Sequence, residues 1–157
     1  MWLSHCSLGS IPPTPNSNFS SLATLDLSFN SFENALIPSW VFGYQNLVAL
    51  NLSANGFQGP IPIGLQNMTS LKHLDLSANN FSSSIPNWLY SFSHLEFLNL
   101  RKNLLQGTIS SFIRNLARGY LVFFFFFSLL ITLHSIFVTH HLKYLNSLNP
   151  TRLALIT

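Results

Sequence analysis

The chain has 157 residues, of which 48% are hydrophobic and only 7% are charged. Such a composition requires either a core that buries most of the leucines or a segment that lies in a membrane. The formal net charge of +3 arises in the last third of the chain, because the N-terminal two thirds have about one net negative charge. Nucleic-acid binding needs lysine and arginine side chains clustered on one face, so this charge distribution excludes a nucleic-acid partner.

The N-terminus lacks the features of a targeting segment. Residues 1–10 contain neither a basic stretch nor an apolar run of about 7 to 15 residues, so no signal peptide is predicted in this chain. Cys6 is the single cysteine and has no partner for an internal disulfide. We expect it to be a small buried residue rather than a nucleophile or a metal ligand.

A nine-residue pattern, LxxLxLxxN, occurs four times at intervals of 24 or 25 residues, at 22–30, 47–55, 71–79 and 95–103. This interval lies within the range in which one strand and one return segment form a single coil of a repeat array. The leucines alternate with polar residues, so each copy is expected to form a short strand with its leucines directed inward. The pattern predicts four parallel strands in one sheet, within residues 22–28, 47–53, 71–77 and 95–101.

Each copy ends in asparagine, whose side-chain amide has both hydrogen-bond donors and an acceptor. We expect these amides to turn into the coils and to satisfy backbone groups where each strand ends, forming a ladder of Asn30, Asn55, Asn79 and Asn103. Cys6 lies one repeat before Asn30 and is assigned to the same ladder position. The array is therefore expected to begin within an earlier, partial repeat.

A second motif follows the asparagines, as in Gly59-Pro-Ile61-Pro62 and, in shorter form, Ile85-Pro86. This motif resembles the plant-specific class of leucine-rich repeat. The phrases Ile37-Pro-Ser-Trp40 and Ile85-Pro-Asn-Trp88 are similar to ectodomains of plant receptor-like proteins. The resemblance covers residues 2–116, although the first repeat is one residue longer and the fourth has Ser110 in place of proline.

The resemblance implies an α/β repeat solenoid over residues 1–116, a right-handed superhelix with a concave parallel sheet. It also implies recognition of a protein, peptide or glycan ligand outside the cell, in defence or development signalling at the plasma membrane. A co-receptor kinase would be a partner, and no catalysis, cofactor or metal is expected. Two alternatives stay open, a secreted inhibitor of a cell-wall-degrading enzyme and a truncated gene product without independent function.

Candidate ligand contacts are the outward residues that depart from the repeat consensus. Asp, Asn and Ser recur at fixed outward positions and are expected to serve the framework. Exposed residues that differ between repeats are better candidates for contacts. These are His73, Phe97, Arg101 and Lys102. His73 and Asp75 share a face, but no nucleophile accompanies them, so an enzyme is not predicted.

Four sequons of the form N-x-S/T are present, at Asn67, Asn18, Asn80 and Asn51. The abundance of asparagine, serine and threonine predicts about three by chance, so their number is not informative. Asn67 is the first candidate for glycosylation, because its setting resembles a frequent glycan position in the family. Asn51 is the last, because a glycan on a strand would obstruct a ligand.

The repeat pattern stops near Ile109, and an apolar run occupies residues 121–138. Continuing the 24-residue interval places Phe at position 127, where the ladder asparagine would be. We therefore predict an apolar, membrane-spanning helix over residues 117–140 and a short disordered tail over 141–157. Two basic residues lie on each side of the run, Arg114 and Arg118 before it and Lys143 and Arg152 after it, so charge does not predict its orientation in a membrane. A phenylalanine-rich run is also what translation of T-rich non-coding DNA yields, so native sequence and gene-model readthrough remain alternatives.

Overall fold

A computed structural model describes residues 1–9, 21–92, 94–107 and 122–123. These residues contain short strands and 3-10 helices. In chain order they are β1 (Thr24–Asp26), η1 (Ser39–Gly43), β2 (Ala49–Asn51), β3 (Gln58–Gly59), η2 (Ile63–Asn67), β4 (His73–Asp75), β5 (Asn80–Phe81), η3 (Asn87–Ser91), β6 (Phe97–Asn99) and β7 (Val122–Phe123). Each coil thus consists of one strand, a turn and a short helical return.

The main sheet has the strand order β1-β2-β4-β6-β7, and all neighbouring strands are parallel. Its register is one repeat, so that Leu50 pairs with Leu74 and Leu74 with Leu98. The predicted parallel sheet is therefore confirmed. The first coil extends this sheet, because Leu3 N–H donates to the Asp26 carbonyl oxygen at 2.8 Å. A smaller parallel sheet of β3 and β5 follows the turns.

Leucines of the strands and of the return segments form one continuous core. Leu50 and Leu74 of the main sheet and Leu65 of η2 are buried in the same hydrophobic cluster. The sheet therefore has one buried side and one solvent side, and the 3-10 helices lie across the core from the sheet. We call the solvent side of the main sheet the strand face.

Three phenylalanines fill the core beneath the second sheet. Phe57 stacks on Phe32 at a ring-centroid distance of 5.4 Å and on Phe81 at 6.4 Å. Each comes two residues after a ladder asparagine, and each is completely or almost completely buried. This stack connects three successive coils.

The prediction of a helix over residues 117–140 is wrong at Val122–Phe123. These two residues form β7, which pairs in parallel with β6 so that Val122 lies beside Leu98 and Phe123 beside Asn99. The edge of β6 presents backbone donors and acceptors, and β-branched and aromatic residues favour strands. Backbone pairing of this kind needs no leucine pattern. The rest of the predicted helix and the tail over 141–157 lie outside the described residues.

The predicted membrane segment has no counterpart within the described ranges. There, no helix has the length and the apolar character that a bilayer crossing requires.

The residue before each ladder asparagine has a left-handed backbone conformation. The φ angles of Phe29, Ala54, Ala78 and Lys102 lie between 51° and 53°, and His5 at the same position of the first coil has φ 55°. This conformation turns the chain out of the strand. None of the five is glycine, so each accepts a cost of about 1 kcal/mol.

We expect Ala78→Val to lower the free energy of unfolding by about 1 to 2 kcal/mol, because a β-branched side chain is poorly tolerated at positive φ. Ala78→Gly should be neutral or should stabilise by up to about 1 kcal/mol. Urea unfolding followed by circular dichroism measures both. Ala49→Val, in the middle of the sheet, is the matched control and should change little. Equal losses at positions 49 and 78 would contradict the backbone explanation.

Candidate functional site

The ladder asparagines connect successive coils through buried hydrogen bonds. The Oδ1 atom of Asn79 accepts from Phe57 N–H at 3.1 Å, and its Nδ2 donates to the carbonyl oxygens of Leu52 and Leu76 at 2.9 and 3.1 Å. Asn103 repeats this arrangement one coil later, with Phe81 N–H as its donor. Each amide thus joins its own coil to the preceding one.

The amide of Asn30 repeats this arrangement at the first coil and accepts from one further N–H group. Asn30 Oδ1 accepts from the backbone N–H groups of Cys6 and Leu8 at 3.1 and 3.0 Å, and Asn55 Oδ1 accepts from Asn30 N–H. Cys6 itself is exposed, and its thiol contacts the Ser4 carbonyl oxygen at 3.4 Å. The expectation of a buried Cys6 is therefore wrong. No described residue packs on the outer side of this coil, so a short side chain there stays in contact with solvent.

A row of acids and amides runs across the strand face. Asn99 Nδ2 donates to Asp75 Oδ2 at 3.1 Å, and Ser77 Oγ donates to Asp75 Oδ1 at 2.6 Å. Asp26 and Asn51 form a similar pair at 3.4 Å. These side chains form hydrogen bonds with one another, so the row connects adjacent strands. Few of its donors and acceptors remain for a ligand.

The structure brings two of the four candidate contacts together. His73 on β4 pairs in register with Phe97 on β6, and their rings stack with centroids 6.3 Å apart and planes 27° from parallel. The side chain of His73 is 53% exposed. Lys102, also exposed, and the half-buried Arg101 follow β6 at the other end of the strand. The strand face therefore has a stacked ring pair at one end of β6 and two basic side chains at the other.

An ion pair that the sequence analysis missed borders this ring pair. Lys72 Nζ lies 2.9 Å from Glu96 Oε1, and the other carboxylate oxygen lies 3.7 Å from His73 Nε2. The hydrogen bond from Lys72 lowers the pKa of the Glu96 carboxyl from its ordinary value, so Glu96 is ionised at neutral pH. The sequence could have predicted this ion pair, because residues 72 and 96 occupy the same position of consecutive repeats and the register places them side by side.

Exposed aromatic side chains at the first coils were not among the four candidate contacts. Trp2 is 73% exposed and Phe29 is 54% exposed. The rings of His5 and Phe29 are stacked at 4.3 Å, with planes only 9° from parallel. Position 29 could have been found from the sequence, since the next two repeats have alanine there.

The sequons occupy different environments. Asn67 ends η2 and is exposed, as is Asn80 on β5. Asn51 lies on β2 and is half-buried. Asn18 lies outside the described residues.

Parallel strands in a register of one repeat, inter-coil asparagines and short helical returns together define a leucine-rich-repeat solenoid. The family model for Leucine Rich Repeat matches residues 21–43, 46–68, 70–92 and 94–116. The chain belongs to the leucine-rich-repeat family.

Within that family, the chain is similar to plant receptor-like proteins. It is 53% identical over 51 residues to receptor-like protein EIX1 of Solanum lycopersicum, which covers 32% of this chain and 5% of that protein. It is 44% identical over 54 residues to receptor-like protein 13 of Arabidopsis thaliana, over 34% of this chain and 5% of that protein. The chain matches only a small part of the length of these relatives.

Solved structures show the same similarity. The complex of the Arabidopsis receptor kinase HAESA with the peptide hormone IDA and the co-receptor SERK1 matches with a TM-score of 0.65 and 35% identity, over 80% of this chain and 21% of that chain. The PEPR1–AtPEP1 structure matches with a TM-score of 0.61 and 37% identity, over 69% and 15%.

Proposed function

We propose that this chain is a protein- or peptide-binding module of a plant receptor-like protein, placed on the outer side of the plasma membrane. It recognises its ligand on the strand face, in defence or development signalling, and acts with a co-receptor kinase. The names of its relatives support the receptor class. Similar solved structures are of receptors in complex with peptide hormones, one of them also with a co-receptor, and they support the class of partner.

The observation on which this proposal rests is the contrast within the strand face. The repeated acids, amides and serines are engaged with one another, as in the Asp75–Asn99 and Asp75–Ser77 bonds. His73 and Phe97 instead offer a stacked, partly exposed ring pair, and Lys102 offers an exposed charge. Apolar ring surface at one end of β6 and an exposed charge at the other is a combination that gives a protein or peptide contact both affinity and orientation.

The size of this face limits the ligand. Neighbouring strands are about 4.8 Å apart, so the five strands of the main sheet span roughly 19 Å. An extended peptide rises about 3.4 Å per residue, so about six residues cross them. Such a contact is smaller than a standard protein interface of about 800 Å² per partner, so further surface from neighbouring repeats or a co-receptor is needed for tight binding.

The test selects peptides from a displayed random library on the purified full chain produced in bacteria. We expect Phe97→Ala and His73→Ala each to lower the affinity for the selected peptides at least about tenfold, because each removes a central contact. Lys102→Ala should weaken them less and should reduce the dependence of affinity on salt. Gln66→Ala, exposed on η2 across the core, is the matched control and should leave affinity unchanged.

Two results would contradict the proposal. One is a set of selected peptides that bind the Phe97→Ala, His73→Ala double variant as tightly as the parent chain. The other is a loss of binding with Gln66→Ala that equals the loss with Phe97→Ala, since that would place the contact on the helical side.

A further inference from the structure

The dipeptide Asn55-Gly56 lies in the turn after β2 and is the only Asn-Gly pair in the chain. We propose that Asn55 is a site of spontaneous modification, where the side-chain amide is lost as ammonia and aspartate or isoaspartate remains. The conversion removes the ladder amide that joins the coil of β2 to the coil of β1. The structure makes this asparagine reactive through its neighbour, Gly56.

The reaction is an attack of the Gly56 backbone nitrogen on the side chain of Asn55. A bond forms between Gly56 N and Asn55 Cγ and closes a succinimide ring, while the bond between Cγ and Nδ2 breaks. The proton lost from the Gly56 nitrogen leaves with Nδ2 as ammonia. Water then adds to either carbonyl carbon of the ring and opens it, to aspartate or to isoaspartate. One water is consumed and one ammonia is released, so no cofactor or oxidant is needed.

The attacking nitrogen has no hydrogen-bond acceptor in the described part of the chain. The Asn80 N–H, at the same position of the next coil, donates to the Phe57 carbonyl oxygen at 2.7 Å. The Leu104 N–H, one coil later again, donates to the Phe81 carbonyl oxygen at 2.9 Å. Within the described residues, the Gly56 N–H makes no such bond. Because attack requires the nitrogen to lose its proton and to move toward the side chain, a hydrogen bond opposes it at the later coils and not at Gly56.

The packing of the first repeat explains why glycine occupies this position. A Cβ atom on residue 56 would lie 2.8 Å from Glu33 Cα and 3.2 Å from the Phe32 carbonyl oxygen. Both are backbone atoms, which cannot move aside as the end of a side chain can. The turn of the longer first repeat therefore lies directly against Gly56. The fold requires at this position the residue whose missing side chain leaves the backbone nitrogen unobstructed.

The Asn55 amide is held by hydrogen bonds that must open before the ring can close. Its Nδ2 donates to the carbonyl oxygens of Leu27, Leu52 and Ser53 at 3.0, 3.1 and 3.1 Å. Its Oδ1 accepts from Asn30 N–H at 3.0 Å. The residue is half-buried and lines an open polar cleft, so water reaches the site. Local release of one amide, and not unfolding of the array, is therefore the step that precedes the attack.

Conversion weakens the connection between the two coils. A carboxylate at position 55 has no N–H to donate, so a charged oxygen faces the three carbonyl oxygens that the amide contacted. We expect Asn55→Asp to lower the equilibrium constant for folding at least about tenfold, and Asn80→Asp, on an exposed neighbour, to change it less than about twofold. Urea unfolding followed by circular dichroism compares the two. An Asn55→Asp chain as stable as the parent would show that conversion does not separate the coils.

A second Asn-Gly pair, introduced one coil later, provides the matched control for the reaction. Asn80→Gly gives residues 77–81 the sequence Ser-Ala-Asn-Gly-Phe, identical to residues 53–57, but here the N–H of residue 80 is engaged by Phe57. The full chain with this substitution is incubated in ¹⁸O-labelled water at physiological temperature and neutral pH, folded or in concentrated urea. Peptide mapping by mass spectrometry reads labelled aspartate and isoaspartate at positions 55 and 79.

In urea, positions 55 and 79 should convert at equal rates, because their local sequences are identical. In the folded chain, Asn55 should convert at least about tenfold faster than Asn79, a difference of about 1.4 kcal/mol in activation free energy. Leu104→Gly makes the same comparison with Asn103 and decides the matter if Asn80→Gly does not fold. Equal rates at the paired positions in a chain whose circular dichroism is native would overturn the inference. So would an Asn55 that stays intact in the folded parent chain after the urea-unfolded chain has converted completely.

Discussion

Replacement of Asn79 by alanine should cost more stability than any other polar substitution in the described array, about 3 to 5 kcal/mol of unfolding free energy. The side chain is only 4% exposed. It satisfies the N–H of Phe57 and three carbonyl oxygens, those of Leu52, Leu76 and Ser77. Alanine leaves the buried Phe57 N–H unpaired, at a cost of about 1 to 3 kcal/mol. It also removes one hydrogen bond from each carbonyl oxygen, at about 0.5 to 1.5 kcal/mol each, although these oxygens keep Asn55 Nδ2, Asn103 Nδ2 and Ala54 N–H as donors.

Asn80→Ala is the matched control, because the neighbouring asparagine is exposed and its side chain points away from the core. Its expected effect is within about 0.5 kcal/mol. Urea unfolding monitored by circular dichroism compares the two variants. Similar midpoints for Asn79→Ala and Asn80→Ala would mean that the ladder amide does not hold the coils together.

The second large effect is expected at the phenylalanine stack. Phe57→Ala should lower the free energy of unfolding by about 3 to 5 kcal/mol, because it removes a completely buried ring and leaves a cavity. Phe57 contacts the rings of both Phe32 and Phe81, so its loss also weakens the coupling of three coils. In a solenoid, weaker coupling between neighbours reduces cooperativity, and we expect a smaller dependence of unfolding free energy on denaturant as well.

Phe29→Ala removes the same side chain from an exposed position and controls for composition. Phe29 is exposed, and among the described residues its ring stacks on His5, so the expected cost is below about 1 kcal/mol. Thermal unfolding by calorimetry ranks the two variants. A cost at position 29 equal to that at position 57 would show that the rings contribute through something other than core packing.

The sequence by itself determined the repeat interval, the inward leucines and the parallel pairing of the main sheet. Each coil contains one repeat, so residues that are one repeat apart in sequence lie side by side in adjacent coils, as Leu50 and Leu74 do. The same interval would have placed Lys72 beside Glu96. A regular pattern reports such contacts because each coil meets the same environment as the next.

Only the tertiary structure decided the features that depend on where a coil lies in the stack. Cys6 has the ladder position but is exposed, because burial comes from a neighbouring coil and not from the residue. Val122–Phe123 joins the sheet without the leucine pattern, because the edge of β6 pairs with backbone rather than with side chains. Likewise, two sequons of the same N-x-S/T pattern differ in exposure, since Asn51 is half-buried and donates to Asp26 of the preceding coil whereas Asn67 is exposed at the end of η2. Patterns along the chain specify what a coil requires, whereas exposure and edge pairing are set by what the stack places beside it.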